Sequence, residues 1–381
     1  MKLYRRIINK IKRIINTFFS KLFIRRISIS TKEKNIVQHL SNNDYFTFQD
    51  KTYHYIGVKP YWTNFKNIKL RNLYVEKLSN VEIIDRGVII DSEGDIILES
   101  TIFQKEYLFN LNCNHWIFFR RFLPFKNIEK AIVLTNRLDN NYYHWIMECL
   151  NRLATLQPKD YENYKIILDS EAQDYATDSL IILLNVKPEN IYLKTNKRLK
   201  VSTVLIPSFP HTRNQSTSMT NVYTPHFIKK INSISKEKTT LVSEKRNFII
   251  ARKQSIQRSI INLEIIPQKF QHLKFEIIYL EDLKFMDQMQ LFRNAGLIIA
   301  THGAGLTNLI FAQNPIIIEF FPSNRLIRDA FYFYQISNAL NFTHYLIQFE
   351  TKNKKQSLLL NENHLSTINS IIAKHSYELV K

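Results

Sequence analysis

Glycine is scarce in this chain, with six in 381 residues. Two cysteines, Cys113 and Cys149, are too few for a disulfide framework or a cysteine-rich zinc site, and so few thiols fit a reducing compartment. No run of about eighteen uncharged apolar residues occurs, which excludes a membrane-spanning helix of the usual length. Acidic residues are also outnumbered, 33 against 53 Lys and Arg, for a formal charge of +20. That balance favours anionic partners such as phosphorylated metabolites, acidic lipids or nucleic acid. No internal repeat or low-complexity tract is present.

Apolar residues make up 45% of the chain, enough for a buried core, and the length suits two domains of ordinary size. Residues 1–26 carry nine Lys and Arg and no acidic residue. Tyr4, Ile7, Ile8, Ile11, Ile14, Ile15, Phe18 and Leu22 recur among them at three- and four-residue steps. The spacing predicts a helix over 1–30 with one apolar and one cationic face, the pattern of a helix lying in an anionic membrane surface. A helix packed on the protein with a solvated basic face, and a transit peptide, are the alternatives.

Short strands are predicted at 52–58, 73–78, 81–85 and 95–99, with Gly57, Gly87 and Gly94 at turns or bulges. From about residue 130 strands alternate with helices. Strands are predicted at 131–135, 164–169, 191–194 and 201–207, with helices at 143–156 and 178–184. A polar break near 210–245 follows, spanned in part by a helix at 224–235. The alternation then resumes, with strands at 248–251, 275–280, 297–300, 316–320 and 345–349. Helices are expected at 263–272, 283–294, 306–311, 329–340 and 364–375. Such alternation predicts an α/β protein with parallel sheets covered on both faces. Two series predict two Rossmann-like domains facing a cleft. The first is expected over 31–223, β-rich over 50–100 and Rossmann-like over 130–210. The second is expected over 224–381, with the last helix packing back on the first domain.

Three of the six glycines, Gly296, Gly303 and Gly305, fall within ten positions. The run Gly296-Leu-Ile-Ile-Ala-Thr-His-Gly-Ala-Gly-Leu-Thr-Asn308 reads as an apolar strand, a tight turn and a helix start. Glycine serves where a side chain would block the backbone or its dihedral angles. The N–H groups of Gly303, Ala304, Gly305 and Leu306 can then hold a diphosphate oxygen, with His302 and Thr307 as side-chain donors. The run is neither the phosphate-binding lysine loop nor the dinucleotide fingerprint, since Asn308 stands where the latter has its third glycine. A tight connection with a buried structural histidine is the other reading. Eleven residues on, strand 316–320 carries Glu319, whose carboxylate can accept hydrogen bonds from ribose hydroxyls or be ion-paired.

After strand 248–251 come Arg252 and Arg258, then Asn262 and Glu264. Guanidinium groups grip phosphate in a bidentate fork, and Asn262 and Glu264 can cap the next helix or orient those arginines. A basic surface loop is the ordinary alternative. In Asn141-Tyr-Tyr-His-Trp-Ile-Met-Glu-Cys-Leu-Asn-Arg152, His144, Glu148 and Arg152 are four apart and line one helix face. A carboxylate beside a neutral histidine raises its basicity and fixes its tautomer. A salt-bridge ladder has the same spacing, and no third ligand suggests a metal.

Taken together, these motifs resemble glycosyltransferase family 61, which includes bacterial capsular polysaccharide biosynthesis proteins and plant and animal xylosyl- and N-acetylglucosaminyltransferases. The matching pieces are Tyr143-His-Trp-x-x-Glu148, Ala251-Arg252 with Arg258-x-x-x-Asn262-x-Glu264, and the run from Gly296 to Pro322. The resemblance implies a GT-B architecture and inverting transfer from a nucleotide-sugar, UDP-sugar favoured, without an obligatory metal or cofactor. It implies donor binding by Arg252, Arg258, Asn262, Glu264, the 302–308 run and Glu319. His144 or Glu148 is the implied base, and Tyr143, Trp145 and Arg152 lie on the acceptor side. The implied acceptor is a glycan or lipid-linked glycan in capsular or surface polysaccharide synthesis. With the basic N-terminus, the expected location is peripheral, on the cytoplasmic inner face of the membrane. A catalytically inactive sugar-binding scaffold, or a basic nucleic-acid-binding protein, are the competing functions. For the last there is no zinc spacing and no recognition motif.

Overall fold

The computed structural model describes residues 29–30, 36–41, 45–49, 51–101, 120–136, 138–213, 221–253, 257–351 and 355–376. The basic helix expected over 1–30 lies almost wholly outside the described residues. The chain divides into two compact units. One comprises Met1–Asn42 and Asn72–Pro210; the other comprises Asn43–Arg71 and His211–Lys381. Among the described residues no helix is long and apolar enough to cross a membrane.

The first unit is built on a nine-stranded mixed sheet. Its parallel half runs in the order Arg198–Pro207, Phe125–Val133, Lys165–Asp169, Ile191–Lys194. The other half is largely antiparallel and hangs on one long strand, Leu73–Ile84, paired with Arg198–Pro207. The sequence predicts two strands there, but the chain passes straight through Asn80, which takes a left-handed φ of 55° without breaking the ladder. Gly57, Gly87 and Gly94 all have positive φ, as turn positions should. Branched side chains from both halves, among them Ile83, Ile89, Val133, Ile167 and Val204, close one core.

The second unit carries a six-stranded, all-parallel sheet. Its order is Glu276–Tyr279, Arg246–Ala251, Ala295–Thr301, Ile316–Pro322, Thr343–Phe349, Tyr53–Ile56. The two central strands are buried along their whole length, which is why they read as continuous apolar runs rather than alternations. Leaving aside Tyr53–Ile56, the strands are ordered 2-1-3-4-5 in chain sequence. The order therefore reverses between Arg246–Ala251 and Ala295–Thr301, and the crevice beyond the carboxyl ends of those two strands is where such sheets bind ligands.

One expectation about domain membership is corrected, since 43–71 and 211–223 fall in the second unit. Residues 43–71 belong with the second unit, because Tyr53–Ile56 pairs with Thr343–Phe349 and Phe46, Trp62, Phe65 and Leu70 fill one face of that sheet beside Phe321 and Phe331. Alternating hydrophobicity marks a strand without saying which sheet it joins. The last helix, Glu362–Lys374, is packed within its own unit. Leu365, Ile368, Ile371 and Ile372 pack it on the other face of its own sheet, with Phe320 and Tyr345.

Candidate active site

In the first unit, strand Phe125–Val133 leads into a loop closed by a hydrogen bond between Thr135 Oγ1 and Asp139 Oδ2. Asn141 caps the helix that follows, its side chain accepting from the Tyr143 amide at 3.0 Å. That helix is not uniformly α. Tyr142–His144 is α, Trp145–Leu150 is π, and Asn151–Ala154 is α again. A π turn inserts residues into the helical repeat, a departure common at functional sites, and it is invisible in a spacing of four.

His144 Nδ1 lies 3.0 Å from Glu148 Oε2; the histidine side chain is 28% exposed and the glutamate fully buried. Burial alone would pull the His144 pKa down, but the Glu148 charge and its hydrogen bond outweigh that and raise it above the ordinary value. Their neighbours on the helix are framework. Trp145 is buried and donates its indole N–H to Ser179 Oγ at 2.8 Å. Arg152 is buried, donates Nε–H to Pro207 O at 2.8 Å, and stacks its guanidinium 4.3 Å from the Phe209 ring centroid. Both were expected on the acceptor side, and both are instead used up inside the first unit. Tyr143 is also buried, edge-on to the His144 ring at 5.4 Å.

In the second unit, Arg252 and the glycine turn converge at the reversal of strand order. Arg252 Nη1 donates to Gln257 O at 3.1 Å, and Nη2 approaches His302 O at 3.5 Å. A β-carbon at position 303 would lie 1.4 Å from Arg252 Nη2, so only glycine leaves the guanidinium its place over the turn. Gly303 has extended dihedrals (φ 170°), so the need is for space and not for a left-handed backbone. The other two glycines answer to packing. A β-carbon at 305 would meet Leu280, and one at 296 would meet Asn247 Oδ1, which accepts from the Leu297 amide.

The helix after the turn, Ala304–Phe311, is 3₁₀ rather than α. Leu306 N–H already bonds Gly303 O at 2.9 Å, so of the four expected amides those of Gly303, Ala304 and Gly305 are left for an anion among the described residues. Asn308 is tied to Gln288 Oε1 and Gly305 O, and Thr307 Oγ1 is buried with no partner among the described residues.

Arg258 sits beside the same turn. Its carbonyl accepts from Thr301 Oγ1, its amide donates to Lys355 O, and its φ is +64°, a strained value for a bulky residue. Burial lowers its pKa to about 10, helped by the charges of Arg252 and Arg325 and opposed by Asp329 and Glu319. Burial also lowers that of Arg252, opposed by the charge of Glu281 and helped by that of Arg325. Neither Arg252 nor Arg258 forms an ion pair with a described residue. Asn262, by contrast, spends its amide on Leu360, accepting from Leu360 N–H and donating to Leu360 O. Glu264 is exposed at the start of helix Ile265–Lys269 and its side chain caps nothing.

Glu319 is the largest correction. It is fully buried, and both carboxylate oxygens are taken, Oε1 by His302 Nδ1 at 2.6 Å and Oε2 by His344 Nε2 at 3.0 Å. His344 Nδ1 in turn meets Ser337 Oγ at 2.9 Å. No room is left for ribose hydroxyls. Glu319 titrates below its ordinary value: burial would raise it, but the two histidines hold the carboxylate form. The His302 pKa is lowered by burial and by Arg325 and Arg258, despite the pull of Glu319 upward. A neutral His302 with Nδ1–H on Glu319 cannot also give that proton to a phosphate. His344, Ser337 and Arg325 were not singled out in the sequence. Glu319 meets His344 diagonally across neighbouring strands, in a register where Ile317 opposes His344, and no short-range spacing reports that.

The family model for Glycosyltransferase 61 matches residues 142–318. The match opens at the histidine helix and closes on the strand that bears Glu319. No curated protein matches the chain.

Proposed function

With residues 142–318 belonging to glycosyltransferase family 61, we propose that this chain is an inverting enzyme that moves a sugar from a nucleotide-sugar, UDP-sugar favoured, to a glycan or lipid-linked glycan. The donor diphosphate sits on Arg252, Arg258 and the free amides of the 303–305 turn. The observation that carries the reading is the Arg252 guanidinium lying in the space that a side chain at 303 would fill, at the reversal of strand order in a parallel sheet. A GT-B arrangement, with the first unit serving the acceptor and the second the donor, belongs to the same proposal.

His144 is the base. Its Nδ1 faces Glu148, so Nε2 takes the proton of the acceptor hydroxyl. The hydroxyl oxygen bonds to the anomeric carbon as the bond from that carbon to the diphosphate oxygen breaks. The leaving group keeps the electron pair, and the guanidinium groups and amides stabilise it, so no metal is obligatory. Residues 1–26 hold the enzyme on an anionic membrane surface, where a lipid-linked acceptor resides, in capsular or surface polysaccharide synthesis at the cytoplasmic face.

The test is release of nucleoside diphosphate from a panel of nucleotide-sugars with candidate acceptors. His144→Ala should lower turnover by about 10²–10⁴-fold while the donor still raises the melting temperature by mass action. Full turnover in that variant removes His144 from the mechanism.

A further inference from the structure

Resting on that donor-site reading, we propose that Arg325 is a third phosphate-binding residue, and that Arg252, Arg258 and Arg325 together select donors with two linked phosphates over those with one. Arg325 lies beyond the residues matched by the family and stands three residues past the end of strand Ile316–Pro322. That strand neighbours Ala295–Thr301, from which the glycine turn departs. The three arginines thus follow the carboxyl ends of strands in one half of the sheet, and the His302 amide donates across to Phe320 O at 2.9 Å, bringing the turn beside the strand that leads to Arg325.

Arg325 is held, not loose. Its amide donates to Pro322 O at 3.1 Å, and its Nη2 pairs with Asp329 Oδ2 at 2.9 Å. Asp329 leaves part of the guanidinium unused, for Arg325 Nε is buried with no partner among the described residues, and so is Arg258 Nε. In the helix that follows the glycine turn, Thr307 Oγ1 is in the same condition. Three guanidinium groups that repel one another are costly to gather in a partly buried place. An anion placed among them reverses the sign of that cost, and each orphaned N–H supplies a charge-assisted hydrogen bond.

The number of cations decides which anion. One phosphate is served by one bidentate fork and the turn amides. Two linked phosphates present more oxygens, spread over a longer span, and give the third guanidinium something to hold. When the bond to the sugar breaks, the diphosphate gains charge. The third cation therefore binds the departing group more tightly than the intact donor, the differential that speeds a reaction.

Inorganic pyrophosphate and inorganic phosphate are the probes, titrated calorimetrically into the full chain and its variants. Wild type should bind pyrophosphate at least about tenfold more tightly than phosphate. Arg325→Met should lose about tenfold on pyrophosphate and little on phosphate, narrowing the ratio. Arg325→Lys retains the charge and the Asp329 pair without the fork and should fall between, which guards against a variant that merely folds poorly. Unchanged pyrophosphate affinity in Arg325→Met overturns the role of Arg325 and leaves the donor site standing, provided Arg252→Met weakens binding. A wild-type chain that binds neither probe overturns the donor site itself.

Discussion

A histidine is paired with a buried glutamate in each unit, with opposite results. His144 and Glu148 pair at 3.0 Å with the histidine partly open to water; His302 and Glu319 pair at 2.6 Å with both sealed. The first histidine is pushed toward easier protonation and the second away from it. The carboxylate does not decide this. Burial works against a protonated His302 first; Glu319 also divides its charge between His302 and His344, and nearby guanidinium groups repel a proton from His302. On the proposed mechanism a histidine–carboxylate pair is therefore a base in one setting and a brace in the other, and the surrounding charge and burial choose between them.

The sharpest way to break the comparison is to remove each carboxylate. Glu319→Ala leaves two buried histidines without their shared partner and should cost about 3–5 kcal/mol, read as a lower denaturant midpoint. A midpoint equal to wild type would end the brace. Glu148→Gln should hardly move the midpoint, since the amide still fills the site, but should lower turnover by about 10²-fold. It should also shift the acid limb of the rate profile to lower pH, because the charge that raises the His144 pKa is gone. An acid limb that stays in place would show that some other group sets it. Gly303→Ala should act on binding alone. The new methyl displaces the far end of a flexible side chain, Arg252, so the fold should survive while pyrophosphate affinity falls by about tenfold.

The two pairs also differ in how they tie stability to pH. The folded His144 pKa is raised, so its contribution is fully present below the unfolded value near 6.5 and is lost as pH rises through the folded value. On the proposed mechanism, catalysis by neutral His144 should grow over that same rise. For His302 the folded value is lowered, so its contribution is present above about 6.5 and is lost as pH falls through the folded value. Glu319 adds a loss of the same sign at lower pH.

Much of the architecture was legible because buried parallel strands need unbroken apolar runs. Ala295–Thr301 and Ile316–Pro322 announce themselves that way, and so does the glycine turn between them. The Arg252–Gly303 contact was legible in part, since an arginine after one strand and a glycine turn after another are both visible as motifs. The role of Glu319 was not. A glutamate in an apolar strand looks the same whether it faces a ligand or a pair of histidines. Trp145 and Arg152 misled for a related reason: a helix motif shows spacing, while Ser179, Pro207 and Phe209, which claim those two side chains, come from elements far along the chain.

By itself the sequence determined the inventory and its local setting: cations after strand ends, a turn too tight for a side chain, a histidine four residues from a glutamate. Hydrophobic periodicity and steric size act over a few residues, so they are written locally. Only the tertiary structure decided which of those charges meet one another and which reach water. Desolvation and Coulomb forces depend on distance in space, and the chain reveals that distance only when strands twenty-five or fifty residues apart lie side by side.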